Sequence, residues 1–220
     1  MKRRSDHPAI VRGAPQYAQL RPPGRRQGIT PRWWTLPQTE AVLAYLTSTC
    51  HPVCNRVIFL LSVKAGLRAK EIASLTWAMI TDAEGTLTDV INLTDIGSTR
   101  RGGRVVPIRN DPRAALMALK AEADKATRPS SFAVASERAG RTSSFAIVHK
   151  FAAWYRPLGF SGASSHSGRR TAITNWARKI STVGGSLRDV QMLAGLSALS
   201  TTQRYIEGAE EARRHVVEMV

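Results

Sequence analysis

The sequence predicts a mainly α-helical domain with one small antiparallel β-hairpin, an α+β fold. Apolar residues recur at helical spacing over most of the chain from Trp33 onward. A β-branched stretch that contains glycines interrupts this pattern between Thr86 and Ile108. No repeat of fixed period and no long heptad run is present. These features indicate a helical domain that carries a minor sheet.

The first helices and the hairpin follow in order. The segment PQTE opens a helix with Gln38 or Thr39 near its N-cap. A second helix starts at His51 and ends at Gly66, and AKEIASLTW forms a short third helix. The runs DVINL and RVVPI flank the polar stretch IGSTRRGG, as the strands of a hairpin flank its turn.

The second half of the chain returns to helical spacing. Helices are predicted over AALMALKAEADK, SSFAIVHKFAAWY, TAITNWARK, LRDVQMLAG and STTQRYI. We expect three parts: a basic, extended or flexible arm over 1–32, a catalytic domain over 33–206, and a C-terminal helix over 207–220 that contacts a neighbouring protomer or folds back.

The charge of the chain points to a polyanionic partner. Lys and Arg number 32 against 16 acidic residues, a net charge of +16, while 43% hydrophobic residues suffice for a core. The arm holds eight of the basic residues and only one acidic residue, Asp6, and its prolines disfavour a helix. Two cysteines indicate a reducing compartment, and no apolar run approaches the roughly 18 residues that span a bilayer. Membrane, secreted and fibrous classes are therefore excluded.

Motifs for metal or nucleotide chemistry are missing from the sequence. No P-loop, HExxH or EF-hand loop occurs, and Cys50 and Cys54 lack the second pair that zinc requires. We therefore expect no metal and no cofactor. Chemistry on a phosphate would then need guanidinium groups for its charge, an imidazole, and a hydroxyl nucleophile.

Three segments supply these groups. They are AGLRAKEIASL with Arg68 and Glu71, SSHSGRRTAITNWA with His166 and Arg169, and VQMLAGLSALSTTQRYI with Tyr205. His166 and Arg169 are neighbours on one helix face. In order, spacing and flanking residues, the segments resemble the catalytic boxes of the tyrosine recombinases, the phage-integrase superfamily, from about Pro37 to Ile206.

The resemblance implies a role for each residue. Arg68 and Arg169 would clamp the scissile phosphate, His166 would assist proton transfer, and Tyr205 would attack phosphorus. The implied product is a 3′-phosphotyrosyl link with a free 5′-hydroxyl. Because that link conserves the energy of the broken bond, rejoining would need neither ATP nor a metal. Planar, permanently charged guanidiniums suit the charge that develops on the phosphate.

The sequence departs from the family pattern at three points. The hairpin turn has no Lys where relatives carry one, and Arg100 is the nearest stand-in. Arg is a poor acid, so it would stabilise charge rather than deliver a proton. Leu196 occupies the position of the usual His or Trp and cannot hydrogen-bond a phosphate. The first helical signal comes at Pro37, so we expect the helical core-binding domain to be absent, as in the fimbrial phase-variation recombinases.

The expected partner is double-stranded DNA. Predicted DNA contacts are Arg101, Arg104, Arg170 and Lys64, and in the arm Lys2, Arg3, Arg4, Arg25 and Arg26. One tyrosine cuts one strand, so exchange between two duplexes needs four protomers. The resemblance implies a homo-tetramer on paired sites and a monomer or weak oligomer when free, without a membrane partner. The expected location is cytoplasmic and nucleoid-associated, in a prokaryote or encoded by a phage or other mobile element.

Two alternative functions remain open at this point. The departures at Arg100 and Leu196 fit a DNA-binding protein of the same fold with weak or lost cleavage, a regulator or a mobile-element remnant. The same four groups also fit a relaxing enzyme that is similar to type IB topoisomerases. Restoring Lys and His at the two positions distinguishes the first alternative, and relaxation of a supercoiled plasmid distinguishes the second.

Overall fold

The computed structural model describes residues 34–94, 103–108, 110–125, 130–136 and 140–203. Within these ranges the α-helices are α1 (Leu36–Leu46), α2 (Pro52–Val63), α3 (Ala69–Ala73), α4 (Asp111–Ala123), α5 (Ser144–Tyr155), α6 (Ser165–Lys179), α7 (Leu187–Ala194) and α8 (Leu199–Gln203). Strands β1 (Val90–Leu93) and β2 (Arg104–Pro107) form one antiparallel sheet. Single 3₁₀ turns cover Trp77–Met79 and Ile180–Val183. The mainly α-helical fold with a small sheet confirms the sequence prediction.

Helix α2 lies at the centre of the core. Its residues Ile58–Leu61 are fully buried, and the helix packs against α1, α3, α4 and α6. Pro52 occupies the first turn, where its missing N–H leaves no hydrogen bond unmade. The helix ends at Val63, and Gly66 follows with a φ of +64°. This end places the next residues, which include Arg68, at one edge of the core.

The hairpin pairs β1 with β2 in a register that alternates buried and exposed residues. Ile91 lies opposite Val106, and both are buried. Because side chains alternate along a strand, Arg104 shares the inward face with Val106, whereas Val105 is 54% exposed. The hairpin thus directs the side chain of Arg104 toward the interior of the protein.

Helix α6 lies unusually close to α2. Gly168 faces Ser62, and a Cβ at position 168 would come within 2.5 Å of the Ser62 hydroxyl oxygen. The helix begins at Ser165, earlier than the predicted segment TAITNWARK, with Ser164 as its N-cap. A small apolar cluster joins α6 to α7 through Ile173, Ala177, Val190 and Ala194. The close approach therefore fixes the position of α6 against α2, and with it the position of α6 relative to the edge of the core that carries Arg68.

The start of the described chain is anchored on α5 and α6. Trp34 is buried against the rings of Tyr155 and Phe160, and its main-chain N–H donates to the Thr171 hydroxyl over 2.7 Å. Trp34 is therefore a hydrophobic anchor for the first described residues, whereas Trp33 and the arm lie outside the described residues.

The first and third helices differ in detail from the sequence prediction. The first helix was expected to open at PQTE with Gln38 or Thr39 near its N-cap, whereas α1 begins at Leu36 with Thr35 as its N-cap and Pro37 in the first turn. The third helix is shorter than AKEIASLTW and ends at Ala73. The segment 207–220, where the sequence predicts a C-terminal helix, lies outside the described residues. None of the described helices has the length and apolar character needed to cross a membrane.

Candidate active site

Arg68 stands at the start of α3 and is held by Glu71. Its main-chain N–H donates to Glu71 Oε2 over 2.7 Å, and its Nη1 donates to Glu71 Oε1 over 2.8 Å. Its Nη2 donates to the main-chain carbonyl of Gly195 over 3.2 Å. The Arg68 side chain is 39% exposed. The guanidinium is therefore oriented by the protein and accessible from solvent.

Glu71 is the buried carboxylate of the site. Its side chain is 2% exposed and also accepts from Arg104 Nη1 over 2.7 Å and from Arg104 Nη2 over 3.0 Å. Burial alone would raise the pKa of this carboxyl, but the hydrogen bonds and charges of Arg104 and Arg68 outweigh burial and lower the pKa. Glu71 is consequently ionised near neutral pH and neutralises part of the positive charge around it.

Arg169 lies on α6 and is buried, with 5% of the residue exposed. Its Nη1 donates to the carbonyl of Gly66, and its Nη2 donates to the carbonyl of Ala194. Arg169 therefore ties three elements together: the loop before Arg68, α6, and the end of α7. The structure brings Arg68 and Arg169 to adjacent carbonyls, those of Gly195 and Ala194.

His166 lies one helical turn before Arg169. It is exposed, and its main-chain N–H donates to the Ser164 hydroxyl over 3.3 Å. The spacing of three residues places it on the side of α6 that carries Arg169. An exposed imidazole at this position is free to meet a group that approaches the two arginines from solvent.

Leu196 follows the end of α7 and is half-buried. Its side chain packs against the apolar cluster between α6 and α7. Its main-chain N–H donates to the Gln191 carbonyl, and its carbonyl accepts from the Gln191 side chain over 3.1 Å. The residue therefore serves packing, and its side chain offers no hydrogen bond.

The predicted DNA contacts fall in different surroundings. Lys64 is 43% exposed and lies 3.8 Å from Asp111, and Arg170 is exposed on α6 next to the buried Arg169. Arg104 is only 12% exposed and points into the site. The remaining predicted site residues lie outside the described residues: Tyr205, Arg100, Arg101, Lys2, Arg3, Arg4, Arg25 and Arg26.

Sequence reasoning gave no role to Glu71 and missed the inward position of Arg104. Glu71 stands in the quoted segment AGLRAKEIASL, and its spacing from Arg68 is that of a residue that accepts from a helix N-terminus. The alternation in RVVPI carried the second signal, because it places Arg104 on the face of the buried Val106. In the described part of the chain, no group of three or more His, Cys, Asp or Glu residues is arranged to hold a metal.

Comparisons with solved structures show the fold of the chain. It superposes on the XerA recombinase with a TM-score of 0.68 at 18% identity, covering 87% of this chain and 66% of that one. A Tn1549 transposon integrase in complex with a circular intermediate DNA gives 0.62 at 18% identity, covering 86% and 65%. A lambda integrase dimer bound to a COC′ core site gives 0.63 at 16% identity, covering 84% of this chain and 51% of that one. The chain thus spans between half and two thirds of these proteins.

No curated protein matches the sequence. The model of the phage integrase family matches residues 32–212, which include every described residue from Trp34 to Gln203. With this match, the fold shared with the recombinases, and the convergence of Arg68 and Arg169, the chain belongs to the phage integrase family.

Proposed function

We propose that this protein is a site-specific DNA recombinase that cuts and rejoins duplex DNA through a covalent bond to Tyr205. The observation that carries the proposal is the convergence of Arg68 and Arg169, remote in sequence, on the adjacent carbonyls of Gly195 and Ala194. The chain reaches Tyr205 shortly after these carbonyls. The two guanidiniums that would hold a phosphate are therefore tied to the segment that leads to the nucleophile.

Each group has a defined part in the reaction. The Tyr205 oxygen attacks phosphorus as the bond from phosphorus to the 5′-oxygen breaks, which leaves a 3′-phosphotyrosyl link. His166 accepts the phenolic proton, and solvent supplies a proton to the leaving 5′-oxygen. Arg68 and Arg169 bind the non-bridging oxygens, whose charge grows during attack. Arg100 stabilises the charge on the leaving oxygen without giving up a proton. The reaction requires no ATP and no metal.

The proposal extends to the assembly and its surroundings. One tyrosine cuts one strand, so exchange between two duplexes takes four cuts and four protomers on paired sites. The exposed Arg170 and Lys64, together with Arg101 and the basic arm, would contact phosphates. Binding is then expected to weaken steeply with salt, by about 0.9 in the logarithmic slope for each phosphate neutralised. We propose that the protein acts with the nucleoid, in the cytoplasm of a prokaryote, and that a prokaryote or a phage encodes it, as the family resemblance implies.

Covalent capture tests the proposal directly. The full chain is incubated with a pool of duplexes that carry a nick beside a randomised core, so that the cleaved fragment diffuses away and traps the protein on DNA. We expect an adduct that survives denaturing electrophoresis and that yields an enriched core sequence. Tyr205→Phe should abolish it, and Tyr45→Phe, a matched change on α1, should leave it intact. No adduct from the wild-type chain, or an adduct that persists in Tyr205→Phe, would refute the proposal.

A second candidate function is favoured by one observation. Leu196 packs into an apolar cluster, where relatives are expected to present a His or Trp to the phosphate. A protein of this fold that binds DNA and cleaves weakly would show this feature. Leu196→His combined with Arg100→Lys distinguishes the two functions: a large rise in adduct formation supports the second, and an unchanged rate supports the first.

A further inference from the structure

The end of α7 collects three arginines. The carbonyls of Leu193, Ala194 and Gly195 are consecutive, and they accept from Arg104 Nε over 3.0 Å, from Arg169 Nη2, and from Arg68 Nη2 over 3.2 Å respectively. Carbonyls in the last turn of a helix have no partner within the helix and carry its negative partial charge. The last turn of α7 is therefore a binding site for three guanidiniums, each delivered by a different element: β2, α6 and the start of α3.

Arg104 differs from Arg68 in its exposure and its partners. Its side chain is 12% exposed, against 39% for Arg68. Its Nη1 and Nη2 both donate to the Glu71 carboxylate, in the two-pronged geometry that Arg alone offers, and its Nε donates to Leu193. Three nitrogens of the guanidinium thus serve protein acceptors. This arrangement suits a group that holds its neighbours better than one that binds a DNA phosphate.

Gly195 makes room for Arg104. Its φ is +58°, and a Cβ there would lie 2.9 Å from Arg104 Nη1 and 3.1 Å from Arg104 Cδ. A side chain at position 195 would therefore push the guanidinium away from Glu71 and Leu193. The glycine that ends α7 and the arginine on β2 form one fitted contact.

We propose that Arg104 is a positioning residue for the strand-transfer reaction. Through Glu71 it fixes the guanidinium of Arg68, and through the Leu193 carbonyl it fixes the segment that leads to Tyr205. The hairpin thereby fixes the position of Arg68 relative to the segment that leads to Tyr205. This inference rests on the proposed function, because it concerns the same site.

Arg104→Met removes the guanidinium and keeps much of the side-chain volume. On the duplex enriched by covalent capture, we expect single-turnover adduct formation to fall about 100-fold, the loss that a displacement near 1 Å produces in a reacting site. The dissociation constant for the same duplex should change less than about 3-fold, because Arg104 makes no phosphate contact in the proposal. Arg104→Lys restores one charged donor but not the fork, so part of the rate should return. Arg56→Met, on an exposed position in the first half of α2, is the matched control.

A methylphosphonate at the scissile position separates positioning from general loosening. This linkage is neutral, so it needs less positive charge from Arg68. We expect Arg68→Ala and Arg104→Met to lose at least 10-fold less rate, relative to the wild type, on this substrate than on the phosphodiester. A residue that only supports the fold would lose equal rate on both substrates. Gly195→Ala should behave like Arg104→Met, because it displaces the same guanidinium.

The outcomes are distinct. No adduct from the wild-type chain overturns the proposed function and this inference with it. A wild-type adduct with an unchanged Arg104→Met rate, with equal losses on both substrates, or with a dissociation constant raised as much as the rate falls, overturns this inference alone. If thermal unfolding shows that Arg104→Met does not fold, the same comparison on Arg104→Lys and Gly195→Ala decides.

Discussion

Replacing Glu71 with Gln removes the buried carboxylate that accepts hydrogen bonds from both Arg68 and Arg104. Gln keeps the size of the side chain and can still accept one hydrogen bond. Its –NH₂ group, however, replaces one carboxylate oxygen, and it would then face the N–H donors of an arginine that it cannot accept from. The Arg104 guanidinium, 12% exposed, would then lie among protein atoms without a counter-charge. We expect the variant to be less stable than the wild type.

The magnitude follows from the two arginines. Removing one partner of a buried ion pair costs about 3–5 kcal/mol. Because Arg68 is 39% exposed, solvent screens its ion pair with Glu71, and the loss of that pair contributes only a fraction of a kcal/mol. Arg104 accounts for most of the effect, and we expect Glu71→Gln to lower the free energy of unfolding by about 3 kcal/mol. The urea midpoint should fall by about 1 M or more.

The difference between the two proteins should depend on pH in a definite direction. The pKa of Glu71 is lower in the folded chain than in the unfolded chain, so its contribution is complete above the unfolded value of about 4.3. The contribution is lost as the pH falls from there through the folded pKa. Gln does not titrate. Urea unfolding of both proteins should therefore give a constant difference near neutral pH and a shrinking difference in acid.

Glu40→Gln is the control, because Glu40 is exposed on α1. It should change the free energy of unfolding by less than about 0.5 kcal/mol. A loss below about 1 kcal/mol in Glu71→Gln, or a difference that does not shrink in acid, would show that the buried carboxylate does not hold the two arginines as described.

Two further substitutions test the packing around the site. Gly168→Ala should lower the free energy of unfolding by about 1–2 kcal/mol, because the cost of overpacking against Ser62 exceeds the gain in helix propensity. In the double variant, Ser62→Ala should recover most of the lost stability. If urea unfolding shows that the two losses simply add, the close approach is contradicted. Tyr155→Phe should keep or raise the melting temperature, with a gain of up to about 1 kcal/mol, because its buried hydroxyl has no hydrogen-bond partner among the described residues and burial raises its pKa. A clear drop in the melting temperature would mean that the hydroxyl has a partner.

The elements with strong local signals were predictable from the sequence. The β-branched runs DVINL and RVVPI became β1 and β2, and the segment from Ser143 to Tyr155 became α5 with Ser143 as its N-cap. The start of α6 was harder to predict. Ser and Gly residues at its first turn have low helix propensity, and their advantage appears only in contact with α2, where Gly168 fits against Ser62.

The hydrogen-bond donors of the site, its arginine and histidine side chains, could be predicted from the sequence, whereas the groups that accept from them could not. The boxes around Arg68, His166 and Arg169 are visible in the sequence, and the structure brings Arg68 and Arg169 together as expected. Their acceptors are largely main-chain carbonyls, which every residue possesses and which no sequence pattern marks. The inward position of Arg104 could have been predicted, because side chains alternate along a strand and Arg104 lies two residues before Val106, on the same face of β2. Its charge suggested a DNA contact instead, and the positioning role that we propose for Arg104 takes the place of that contact.

The reliance on carbonyls at the end of α7 has a consequence for how this region tolerates change. Any amino acid at position 193 still supplies the oxygen that Arg104 uses, so identity there is unconstrained by the arginines. Ala194 is restricted only by the space in the small apolar cluster. Inserting or deleting a single residue would shift every oxygen by one place and pair each guanidinium with the wrong partner. Chain length, more than composition, is what this short stretch has to preserve.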